Sequence, residues 1–173
     1  MGHSFATSKV RPAKASVRSP GNAPNTSVLP FQGLAQTPVE LLQRAIACLN
    51  TGDTVGLYRL SVTREEYLQI YRYLPRADTT NSDDRDFRMG FFLMDNRKML
   101  LREFENFGRK PGQKQLEFSR FAYAGEREEL GKLAFQHGLK VWVKRDAAEF
   151  ELPISKSLIA INGGWKLWGF TSD

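Results

Sequence analysis

Near Gly108 the chain changes from helix-forming to strand-forming sequence. It closes on LIAINGGWKLWGF, two apolar runs around Asn162-Gly163-Gly164. Asn and Gly accept the positive φ of a tight reversal, so this closing stretch is a hairpin signal. Helices first and an antiparallel sheet after them restrict the chain to an α+β domain with helices on one face of the sheet. Apolar residues make up 41% of the 173 positions, enough for one real core.

The helical half is punctuated by caps. Thr37-Pro38-Val39-Glu40 has the form of a capping box, with proline where no amide proton is needed. Behind it Val39, Leu42, Ala45, Ile46 and Leu49 share a helical face, which Asn50-Thr51-Gly52 ends. Asp53 caps a short helix through Leu57 and Leu60. Thr63-Arg64-Glu65-Glu66 opens another, carrying Tyr67, Leu68 and Tyr71 and stopping before Pro75. Arg76 to Asp84 reads as a polar turn. Asp83, Asp84 and Asp86 then favour the start of a long helix to about Phe107. Phe87, Phe91, Met94, Leu101 and Phe104 track one side of it, with Leu100 and Phe107 widening the stripe. Gly90 interrupts it at a cost of about 1 kcal/mol relative to alanine.

Strands follow Lys110-Pro111-Gly112. Leu116 to Phe121 alternates. Glu126 to Phe135 is open between a helical turn at EREEL and a loop leading into a strand. In Leu139–Arg145, Val141 and Val143 face one way and Lys140, Trp142 and Lys144 the other. Asp146-Ala147-Ala148 makes a turn, Phe150 and Leu152 continue the pattern, and Ser157–Ile161 with Trp165–Phe170 forms the last hairpin.

Charge is unevenly placed. Of the formal +6, +4 lies in residues 1–30, which hold Lys9, Arg11, Lys14 and Arg18 and no acid. From Phe31 onward 21 bases meet 19 acids, so the domain itself is nearly balanced. Residues 1–36 are rich in Ser, Pro, Gly and Asn without a period and read as a disordered basic tail, leaving 37–173 as a single domain. The single cysteine, Cys48, excludes an internal disulfide and a cysteine-built metal site; its helical setting predicts a buried, inert thiol. No stretch has the length of a membrane span, and the opening twenty residues lack the apolar region of a secretory signal. This pattern fits a soluble protein, cytoplasmic or exported with its signal removed.

The phrases ACLNTGD, Ser61-Val62-Thr63-Arg64-Glu65-Glu66-Tyr67 and Asn162-Gly163-Gly164-Trp165-Lys166-Leu167 resemble those of a bacterial branch of the cystatin-like α+β superfamily, typified by nuclear transport factor 2 and steroid delta-isomerase. The resemblance would cover about Thr37 to Phe170. It implies a strongly curved antiparallel sheet wrapped around the helices as a cone with a pocket. It also implies a homodimer through the sheet face, but no particular reaction, because members of that superfamily share a fold and not a chemistry.

The residues point to a non-catalytic binding or structural module for a small apolar ligand or a protein partner, with no cofactor. Aromatic rings with polar tips suit such contacts. The expected ligand-binding set is Tyr67, Tyr71, Asp86, Phe91, Trp142 and Trp165. Asp83, Asp84, Asp86 and Asp95 invite a hard cation, but the EF-hand spacing fails and a helix start explains the first three. No metal site is therefore expected. A competing reading is an isomerase- or hydratase-like enzyme on a small hydrophobic molecule, with Asp86 or His137 as base and Tyr67 as proton donor. A third is nucleic-acid binding through Lys140, Trp142 and Lys144, extended by Lys166 and Trp168. Glu149 and Glu151, which follow at once, and the absence of a zinc finger or phosphate loop count against it.

Overall fold

The computed structural model describes residues 31–74 and 82–169. Four helices come first. Helix α1 (Pro38–Thr51) starts where Thr37 accepts the Glu40 amide at 3.1 Å and stops at Gly52, whose φ is 72°. The Glu40 carboxylate reaches back to the Gln36 amide at 2.7 Å, one residue before the position a capping box uses. Leu42, Ala45, Ile46 and Leu49 are buried as their spacing predicts, whereas Val39 is partly exposed. Helix α2 (Thr54–Leu60) is capped by Asp53, which accepts the Gly56 amide at 2.7 Å. Gly56 packs so tightly against the Asp53 and Cys48 side chains that a Cβ there would displace the capping carboxylate. Helix α3 (Arg64–Tyr71) carries the full Thr63–Glu66 capping box. Helix α4 (Ser82–Phe107) already includes Ser82 to Asp84, so the expected turn from Arg76 reaches no further than residue 81; residues 75–81 lie outside the described ones.

Seven strands follow: β1 (Glu117–Tyr123), β2 (Arg127–Leu130), β3 (Leu133–His137), β4 (Leu139–Arg145), β5 (Ala148–Glu151), β6 (Ser157–Ile161) and β7 (Gly164–Leu167). They form two antiparallel sheets, one ordered β1-β4-β5 and the other β2-β3-β6-β7. The second of three crossings between the sheets, from β3 to β4, is made at Gly138 (φ 66°), where the backbone lies close against Gly125. Arg127–Leu130 of EREEL is itself a strand in a tight hairpin with β3, neither a helical turn nor a loop leading into one strand.

This topology overturns the cone. Two separate open sheets, neither closed nor strongly curled, replace the single wrapped sheet that the resemblance implied. The described residues form a small α+β domain of four helices and two open sheets, not a cystatin-like fold of the nuclear transport factor 2 type. The physical reason lies in what the matching phrases encode. Each sets a helix cap or a single hairpin, and none determines how the other strands are divided between sheets.

Two apolar clusters hold the layers together. One gathers Leu41, Leu42, Leu49 and Leu57 with Leu100, Val141, Val143, Leu158 and Leu167. The other gathers Tyr67, Ile70, Tyr71 and Met89 with Leu133, Phe135, Ile159 and Ile161. Polar ties fix their edges. The Asn50 side chain donates to the Leu116 carbonyl at 2.9 Å and accepts its amide at 2.7 Å, binding the end of α1 to the approach to β1. Arg145 donates to the Phe107 carbonyl at 2.9 Å and so caps the last residue of α4 from β4. Contacts begin before Thr37: Ala35 and Trp165 exchange backbone hydrogen bonds of 3.2 and 2.8 Å, and Phe31 packs on the second cluster. Residues 1–30 of the expected tail lie outside the described residues.

Candidate functional site

Helix α4 is turned in an unexpected direction. Its buried positions are Met89, Asn96, Leu100 and Glu103, two of them polar. Most of the stripe expected to face the core points outward instead: Phe87 is 72% exposed, Phe91 57%, Met94 59% and Leu101 47%. Phe104, with Leu100 and Phe107 that widen the stripe, does pack on the first cluster. Beside this face, Val55 of α2 is 60% exposed. Between α2 and α4 runs a groove of about 680 Å³ lined by Thr54, Val55, Tyr58, Leu93, Met94, Arg97, Leu100 and Leu101. Its walls are set locally: the Asp53 cap and the Gly56 contact seat α2 against α1, and Arg145 holds the far end of α4. Lone exposed apolar residues need no explanation, but a contiguous apolar face usually marks a contact surface.

The inward polar residues sharpen the contrast. Glu103 is only 3% exposed, its Oε2 has no hydrogen-bond partner among the described residues, and burial pushes its carboxyl up to about 7, with Arg102 opposing. On β1 the Tyr123 hydroxyl is likewise buried without a partner, and burial raises it to about 12.

The six residues expected to bind a ligand do not converge. Tyr67 and Tyr71 are buried together in the second cluster. Tyr67 lies against Phe92, with ring centroids 4.6 Å apart, and is nearly parallel to Trp168 at 6.1 Å. The Tyr71 hydroxyl donates to Asp84 at 2.8 Å, and Arg88 grips the same carboxylate. Asp86 lies at the surface and accepts from Arg85 at 3.0 Å, so it is not a buried pocket acid. Phe91 belongs to the outer face of α4. Trp142 is in the three-stranded sheet with the Arg120 guanidinium 3.9 Å over its ring, while Trp165 is in the four-stranded sheet and packs on the first cluster.

Lys166 is the clearest departure from the basic strand face imagined for it. It is fully buried, and its ammonium binds both carboxylate oxygens of Glu66, at 2.7 Å to Oε1 and 2.5 Å to Oε2. Burial lowers its pKa from the ordinary lysine value, and Glu66 works against that shift. Lys140 and Lys144 are exposed, but Lys144 pairs across the ladder with Glu117 and Glu149. Hydrogen bonds from Ser119 and Arg120 hold the Glu149 carboxyl below the usual range.

His137 has partners that its sequence neighbours do not reveal. Its Nδ1 is 3.0 Å from the Ser157 hydroxyl and its Nε2 3.6 Å from Glu128. Hydroxyl, imidazole and carboxylate are the components of a nucleophile relay. Here they are neighbours in adjacent strands: His137 stands directly across from Ser157, which is 9% exposed and offers little of its hydroxyl to a substrate. The thiol of Cys48 is half-buried, and desolvation raises its pKa above the ordinary value, the direction of an unreactive group. Among the described residues no three His, Cys, Asp or Glu side chains gather as a metal site, and no helix is long and apolar enough to cross a membrane.

Compared with protein-family models, curated proteins and solved structures, the chain matches none.

Proposed function

We propose that this protein is a non-catalytic binding module that holds an apolar surface, of a protein or a small molecule, on the face shared by α2 and α4. The observation that carries the reading is the orientation of α4. It exposes Phe87, Phe91, Met94 and Leu101 while burying Asn96 and Glu103. Each square ångström of such surface taken from water contributes about 25 cal/mol, so covering the stripe would release several kcal/mol before ordering costs. A homodimer through the sheet face, implied by the resemblance, loses that support with the cone, and Trp142 is already covered by Arg120.

The test is titration with an environment-sensitive naphthalene-sulfonate dye, followed by fluorescence. Saturable binding should be lost in Met94→Glu and Leu101→Glu while near-ultraviolet circular dichroism stays native. Dye binding unchanged by both substitutions would assign it to another surface and end the reading.

A further inference from the structure

Four structural features identify what covers α4. The first is spacing. Phe87, Phe91, Met94, Lys98 and Leu101 recur at intervals of four and three, the seam of a two-helix coiled coil. Phe87, Phe91, Met94 and Leu101 are exposed at 47% or more, and Lys98 is exposed with them.

The second is charge. Residues 82–95 carry four aspartates against two arginines, whereas residues 96–110 carry five basic residues against two glutamates, one of them the buried Glu103. The helix is thus acidic at its start and basic at its end. A second copy lying antiparallel sets unlike halves together, and a parallel one sets like halves together.

Third, Gly90 stands on the same outer face, and apart from its own helix turn nothing among the described residues lies within 4 Å of where a Cβ would be. A mid-helix glycine costs about 1 kcal/mol relative to alanine, and no close contact among the described residues requires it. It leaves a notch for a neighbour.

Fourth, one register satisfies all of these. Set Phe91 of one copy against Met94 of the other in antiparallel sense. The seam then places Phe87 against the aliphatic stem of Lys98, Leu101 at its edge beside the Arg88–Asp84 pair, Gly90 beside Arg97, and Arg88 opposite Asp95, each twice by symmetry.

We infer that α4 pairs with α4 of a second copy of this chain as an antiparallel coiled coil, centred on Phe91 and Met94. The inference rests on the α2–α4 face being the binding surface, and it names the occupant. About 14 residues of seam span roughly 21 Å, so the dimer is a modest one, sensitive to single substitutions.

Sedimentation equilibrium of the full chain, from low to several hundred micromolar, tests it. The wild type should dimerise, and Met94→Glu should weaken the dimer more than tenfold. Asp95→Arg should weaken it severalfold by facing Arg88, and Asp95→Asn by clearly less, with circular dichroism checking the fold of each variant. A wild type that stays monomeric, a dimer indifferent to Met94→Glu, or a dimer weakened no more by Asp95→Arg than by Asp95→Asn would each overturn the pairing. A monomeric wild type that still loses dye binding on Met94→Glu would overturn the dimer and leave the binding face standing.

Discussion

Lys166 and Glu66, a hundred positions apart in the chain, form a buried ion pair. Glu66 is the hub. Besides gripping the ammonium, its Oε2 accepts the Thr63 amide at 2.8 Å and its Oε1 the Gln32 amide at 2.9 Å. One carboxylate therefore ties the start of α3, the residues before α1 and strand β7. Such full satisfaction is what makes a buried pair tolerable, since the desolvation of each ion must be offset.

The losses from removing the two partners should therefore not add. Lys166→Met leaves a buried carboxylate with only its two amides, and the expected loss in urea unfolding is about 3 kcal/mol. Glu66→Gln with Lys166→Met should lose clearly less than the sum of the single changes. Additive losses would mean that the two side chains stabilise the protein independently.

Two hairpins test turn chemistry within one molecule. Between β6 and β7 the two-residue turn is Asn162-Gly163, with φ of 50° and 80°. Between β4 and β5 it is Asp146-Ala147, with φ of 52° and 67°. Both are left-handed at both positions, the geometry that favours Asn-Gly or Asp-Gly. Ala147 bears the cost of a Cβ in that region. Ala147→Gly should raise stability by about 0.5–1 kcal/mol, read as a higher midpoint of thermal unfolding. Gly163→Ala should lower it by a similar amount or more. A lower midpoint for Ala147→Gly would show that unfolded-state entropy outweighs turn strain here.

Those same turns show what local sequence can encode. Asn162-Gly163 and the Thr63–Glu66 box are legible because both halves of each signal lie within four residues. The hairpin of β2 and β3 is not. Arg127 to Leu130 are good helix formers, and their strand state comes from pairing with β3, whose Leu133, Ala134 and Phe135 are buried. Lys166 reads from alternation as a partly exposed strand residue, and only Glu66, far away in the chain, reverses that.

Helix α4 is ambiguous for a different reason. It carries two stripes at helical spacing, Phe87-Phe91-Met94-Leu101 and Met89-Asn96-Leu100-Glu103, and the first is the more apolar. Periodicity identifies a helix but not which of two faces meets the core. Of the six residues expected to bind a ligand, Phe91 alone belongs to the exposed apolar stripe on which the proposed binding face rests.

The Asn50–Leu116 bridge replaces a strand partner with a side-chain amide. Asn50→Ala leaves one donor and one acceptor of Leu116 without these partners in a part-buried setting, and should cost about 1–3 kcal/mol. Asn50→Asp keeps the acceptor but loses the donor, and should fall between alanine and wild type at neutral pH. If denaturant midpoints of wild type and Asn50→Ala coincide, α1 and β1 are held by the apolar cluster alone.

Glu103 supplies the pH dependence. Its folded pKa is raised to about 7, so the folded state disfavours the carboxylate relative to the unfolded chain, where a glutamate titrates at about 4.3. Below the unfolded value both states are protonated and nothing is lost. As pH climbs from there to about 7 the unfolded chain releases its proton first, and stability falls; above 7 the loss is complete. Glu103→Gln removes that titration and keeps the shape. It should stabilise the protein at pH 8 by up to about 2 kcal/mol, after allowing for partial solvent screening, and by far less at pH 5. Urea unfolding of both proteins at the two pH values measures the difference. An equal effect at both would show that the carboxyl stays ionised in the fold, held by water at its unpaired oxygen.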